Sequence, residues 1–110
     1  MSYPTIFTTP GVRQFAEEID AERQAQLAKW GEQHHPDNTG STFYAKRAVA
    51  ARRNCQLAAA DGMTAWDLIL LEEVYEALAE SDPAALRTEL IQCAAVIQAW
   101  LHDLDTRPAV

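Results

Sequence analysis

Apolar residues along the chain recur at three- and four-residue spacing, and no stretch alternates as a strand would. Four helical segments follow. The first is expected over about 10–30, where Val12, Phe15, Ala16, Ile19, Leu27 and Trp30 share a face that Arg23 and Gln26 interrupt. Thr9 is a candidate N-cap, Pro10 suits the first helical position, and Gly31 suits a stop. The connection GEQHHPDNTG (31–40) holds two glycines and a proline and reads as a loop. A second helix is expected over about 41–60. Its narrow stripe of Tyr44, Ala48, Ala51, Cys55 and Ala58 would let a neighbouring helix approach closely. A third begins at Thr64-Ala-Trp-Asp67, which has the form of a capping box, and runs to about 80. Ser81-Asp82-Pro83 then breaks the pattern, with Asp82 as N-cap and Pro83 at the first helical position of a fourth helix over about 83–104. So short a link makes the third and fourth helices an antiparallel hairpin. The expected fold is all-α: one four-helix domain over 1–110, with an extension at 1–9 and a frayed tail at 105–110.

One stretch breaks the apolar logic. In LEEVYEAL (71–78), Trp66, Ile69, Leu70, Glu73, Glu76 and Ala77 fall within an arc of roughly 120°, so Glu73 and Glu76 continue the stripe rather than oppose it. Glu72 lies toward its edge. On the fourth helix, Leu86, Leu90, Cys93, Ala94, Ile97, Trp100 and Leu101 form the stripe, with Glu89 at its margin and Gln92 one turn later. Glu76 stands about six residues before the 81–83 turn and Glu89 about six after it, which puts them at matching heights in an antiparallel pair. Carboxylates gathered in apolar surroundings raise one another's pKa unless a cation neutralises them. Oxygen-only ligands suit a hard ion, Mg²⁺ or Mn²⁺, and such sites commonly carry substrate phosphates. The competing reading is an ordinary solvated glutamate face.

Composition narrows the partners. The 110 residues are 48% hydrophobic with a formal net charge of −7, which disfavours nucleic acid and anionic membrane surfaces. No apolar run reaches the roughly 20 residues needed to span a bilayer, and the start MSYPTIFTTPG lacks the basic and apolar regions of a leader. Cys55 and Cys93 are few, far apart and set among apolar neighbours, as reduced cysteines of a cytoplasmic protein are.

Glu73-Val-Tyr-Glu76, twelve residues, then Glu89-Leu-Ile-Gln92 resembles the ExxE…ExxD signature of the MazG-like, all-α nucleoside triphosphate pyrophosphohydrolases. The flanks WDLILLEEVYEAL and ELIQCAAVIQAWL extend the resemblance, and ERQAQLAKWGEQHHPD is similar to the first helix of the small actinobacterial and phage type. The resemblance covers about 19–104. It implies Mg²⁺-dependent cleavage of a (d)NTP to a (d)NMP and pyrophosphate. Glu73, Glu76 and Glu89 would hold the metal, with Gln92 a further ligand, and Glu72 or Glu76 would accept a proton from the attacking water. The family's last acid is Asp; Gln92 offers an uncharged oxygen instead, which weakens metal binding and keeps open a non-catalytic relative that binds a nucleotide or a partner.

The accessory candidates are weaker. Lys46 and Arg53, with Arg47 a third, would hold phosphate oxygens, or else simply solubilise the second helix. Trp30 would stack on a base, or serve as core. Arg23 and Gln26 would read a base edge, or pair across a subunit interface. The adjacent His34 and His35 diverge and make no metal motif; they sit in a loop expected near the base pocket. Asp103 lies three turns past Gln92, too far to share its ion. The wide apolar faces and the resemblance together point to a homodimer or homotetramer.

Overall fold

The computed structural model describes residues 7–109. They form four α-helices and no strand: α1 (Val12–Trp30), α2 (Thr42–Ala60), α3 (Trp66–Ala79) and α4 (Pro83–Thr106). The all-α expectation holds. The chain divides into two compact units, Met1–Pro36 together with His102–Val110, and Asp37–Leu101.

In the first unit, α1 starts two residues later than expected. Its N-cap is Gly11, left-handed at φ 83°, and no side chain caps it. Thr9 contributes its carbonyl instead, accepting from the Val12 N–H at 3.2 Å. No residue of α1 is buried. Polar pairs one turn apart decorate its surface, among them Arg13–Glu17, Gln24–Asp20 and Arg23–Gln26, the last at 2.7 Å. Gly31 ends the helix at φ 68°, as expected, its N–H bonded to the Leu27 carbonyl. The C-terminal segment stays helical to Thr106, into the stretch expected to fray. There the Thr106 hydroxyl donates to the His102 carbonyl at 2.7 Å and Arg107 pairs with Asp103 at 3.1 Å.

The second unit is built on close approach of α2 to α3. The Ser41 hydroxyl oxygen caps α2 by accepting from the Tyr44 N–H at 3.2 Å. Ala48 and Ala51 are the buried residues of α2, the helix that packs closely on α3, as small side chains on the contact face allow. Gly62 turns the chain at φ 69°, and α3 begins after Ala65 without a side-chain cap, so the capping box at Thr64 does not form. Asp67 in the first turn still complements the helix dipole.

Asp82 caps α4 as expected, Oδ2 accepting from the Ala85 N–H at 3.0 Å. Helices α3 and α4 then run antiparallel, joined by side chains. Near the turn, Ala77, Leu86 and Cys93 form the buried cluster, with Val74 packed against it. At the far end Trp66 and Trp100 stack, ring centres 6.2 Å apart and planes 11° off parallel. The loop before α2 is tied to the same turn. Gly40 donates its N–H to the Leu78 carbonyl at 2.9 Å and passes so near Ser81 that a Cβ on Gly40 would lie 2.8 Å from Ser81 Cβ. That contact fixes where α2 starts relative to the α3–α4 hairpin, and hence which α2 side chains reach α3.

Candidate metal centre

Alongside the Ala77–Leu86–Cys93 cluster, α3 and α4 bring together the carboxylates of Glu73, Glu76 and Glu89. One oxygen from each lies within 4.8 Å of the others. The antiparallel register does this: Glu73 and Glu76 share a face one turn apart on α3, and Glu89 meets them from α4. All three are half-buried.

The electrostatics are unfavourable as they stand. Glu73 Oε2 and Glu89 Oε2 are both sealed from solvent, and neither accepts a hydrogen bond among the described residues. A buried acceptor without a donor costs roughly 1–3 kcal/mol, and more when charged. The proton affinities follow. The Glu73 carboxyl is raised first by burial and then by the charges of Glu76, Glu89 and Glu72. Glu89 is raised by burial, then by Glu76 and Glu80. The neighbouring Cys93 thiol is also pushed up, by burial and then by Glu73 and Glu89.

A divalent cation fits this donor set. Every donor is a carboxylate oxygen, two are orphaned, and ligand oxygens around one Mg²⁺ at about 2.1 Å lie no more than about 4.2 Å apart.

The other candidate residues are placed less centrally. Gln92 is exposed one turn beyond Glu89. Glu72 is half-buried and turned toward α2, where it interacts with the Cys55 thiol. That thiol donates to the Leu68 carbonyl at 3.0 Å, and burial, with Glu72 next, pushes its pKa up to about 11. Lys46 and Arg53 are exposed on the side of α2 away from the Ala48–Ala51 seam, and neither forms an ion pair with the trio. Trp30 and Gln26 belong to the first unit; Lys29 sits over the Trp30 ring at 4.8 Å, and Gln26 bonds Arg23 and Glu22. Arg47, the third basic candidate, lies over the Phe43 ring at 4.9 Å.

One residue had not been singled out. Arg52 Nη2 lies 3.4 Å from Glu76 Oε1. Among the described residues it is the only cation in an ion pair with the trio. The signal was present in the spacing: Arg52 is four residues after Ala48 and three before Cys55, at the margin of the stripe that meets α3, whereas Lys46 and Arg53 point off its back.

No protein-family model, curated protein or solved structure matches the chain.

Proposed function

We propose that the chain is a MazG-like, Mg²⁺-dependent nucleoside triphosphate pyrophosphohydrolase that cleaves a (d)NTP to a (d)NMP and pyrophosphate. The observation that carries this reading is the carboxylate trio on α3 and α4, with two sealed oxygens that nothing among the described residues satisfies. Glu73, Glu76 and Glu89 would hold Mg²⁺, with Mn²⁺ a substitute, and by the resemblance the Gln92 amide oxygen, exposed one turn beyond Glu89, would add an uncharged donor. Bound there, the ion supplies charge neutralisation for the triphosphate and orientation for in-line attack at the α-phosphorus.

The chain's own groups do the rest. The Ala77–Leu86–Cys93 cluster packs beside the carboxylates and the Trp66–Trp100 stack lies farther along the same seam, so apolar groups lower the dielectric in which their charges act. Glu72 or Glu76, whichever is not committed to the ion, accepts the proton released by the attacking water. The free cysteines suit a cytoplasmic setting. Exposed Leu90, Ile97 and Leu101 along one edge of α4 support assembly into a homodimer or homotetramer.

Pyrophosphate release from a panel of canonical and modified (d)NTPs, with and without Mg²⁺, tests the reading. Release that needs the metal and disappears in Glu73→Gln is the expected result. A second reading, a non-catalytic MazG-fold protein that binds a nucleotide or a partner, is favoured by Gln92, which is exposed and uncharged where the family signature has an acid. It predicts metal-dependent nucleotide binding without pyrophosphate release.

A further inference from the structure

We propose that Arg52 is a positioning residue that occupies Glu76 until a divalent ion and a polyphosphate arrive together, and then moves from the carboxylate to the polyphosphate. This rests on the metal-centre reading above.

Three observations carry it. The Arg52–Glu76 contact is the trio's one ion pair among the described residues, and it reaches Glu76 alone, leaving Glu73 Oε2 and Glu89 Oε2 without a donor. The pair is asymmetric: the Glu76 side chain is 20% exposed and that of Arg52 is 51% exposed, so the acid is held in the seam while the guanidinium is free to turn. At 3.4 Å the contact is long for a charge-assisted bond, as expected of a partner that can be exchanged rather than a fixed structural clamp.

The chemistry follows from charge. A dication entering the trio competes with the guanidinium for Glu76 and repels it at short range. A released guanidinium at that site meets the next anion to arrive. Its planar fork matches paired phosphate oxygens, a geometry a lysine does not offer. The ion alone would therefore bind against Arg52, and the ion with a polyphosphate would bind with its help. Arg52 would thus disfavour the bare metal and favour the metal–polyphosphate complex, which is a form of substrate selection.

Isothermal titration of the full chain with Mn²⁺ alone, and then with tripolyphosphate at saturating Mg²⁺, separates the two effects. Arg52→Gln is expected to bind Mn²⁺ about fivefold more tightly than wild type, the scale of a partly exposed ion pair, and tripolyphosphate at least about tenfold more weakly. Arg52→Lys keeps the charge but loses the fork: its Mn²⁺ affinity should match wild type while tripolyphosphate still weakens. Arg13→Gln, which makes the same change in net charge in the first unit, should alter neither. Opposite movements of the two affinities are the signature, since a merely structural role would shift both in one direction. If wild type binds both probes and Arg52→Gln binds them equally well, this inference is overturned and the metal centre stands. If wild type binds neither, both are overturned.

Discussion

Replacing Glu73 by Gln should stabilise the metal-free protein, although it removes a half-buried native side chain. Glutamine preserves the shape, removes one charge, and brings an N–H₂ group that can donate to the carboxylates beside it. Like charges within 4.8 Å repel by roughly 1 kcal/mol in a water-like dielectric and by roughly 3 kcal/mol at an effective dielectric near 20. Glu73 is half-buried and faces two such neighbours, so a net gain of about 1–2 kcal/mol at pH 7.5 is expected, or a rise in Tm of roughly 4–10 °C for a chain of this size. The gain should shrink on acidification. The folded-state pKa of Glu73 is raised, so the native protein binds more protons than the unfolded chain, and wild-type stability increases as pH falls toward the ordinary carboxylate range. Magnesium should reverse the order. At a concentration 100 times its Kd the ion stabilises wild type by about 2.7 kcal/mol, and a variant that has lost a ligand gains much less. Urea unfolding in EDTA and in Mg²⁺, at pH 5 and pH 7.5, reads all four conditions. If Glu73→Gln is less stable than wild type in EDTA at pH 7.5, the carboxylates are not repelling one another and the argument fails. If Mg²⁺ leaves the wild-type midpoint unchanged, the centre does not hold it.

Gly40→Ala should cost about 2–3 kcal/mol in urea unfolding, because φ 85° disfavours any side chain and the new methyl would meet Ser81 at 2.8 Å. An undiminished midpoint would show that the loop is not tied to the α3–α4 turn. Asp82→Ala removes the α4 cap and should cost about 1 kcal/mol, while Asp82→Asn, which still accepts from Ala85, should cost less than half of that. The Cys55 thiol, with its pKa raised from 9.0 to about 11, should carry about a hundredfold less thiolate than an ordinary cysteine at pH 8. Its alkylation by iodoacetamide in the folded protein, followed by mass spectrometry of the labelled peptide, should be correspondingly slow and should accelerate in Glu72→Gln.

The helices were legible because each rests on a local rule. The Asp82-Pro83 start and the Gly31 stop act within one turn, and three- and four-residue spacing needs no tertiary knowledge. The carboxylate trio was legible for a related reason: a short link forces an antiparallel register, and counting outward from 81–83 pairs Glu76 with Glu89. What escaped depends on choices between equivalent local options. Thr9 and Thr64 are good caps by residue type, yet Gly11 and Ala65 take those places, because an N-cap is fixed by where the backbone leaves the helix and not by which side chain stands ready. The expected apolar face of α1 contains no buried residue; its periodicity showed that a face exists and could not show what covers it. Arg52 was passed over for Lys46 and Arg53 because all three are basic residues on one helix. Only the stripe that meets α3 distinguishes them.

The acids in the α3 stripe have a cost that packing does not return. Leucine at 73 or 89 would fill the same seam without an orphaned oxygen, and replacing buried charged groups by apolar ones of similar volume is commonly neutral or stabilising. A single misplaced glutamate could be a tolerated accident. Here three converge from two helices at one height, two of them with a sealed, unsatisfied oxygen, and the nearest guanidinium reaches only the third. Local rules in a folded chain tend to be broken where function requires it. The break at this place has the charge, the donor type and the spacing that an incoming hard cation needs, and stability alone supplies no reason for it.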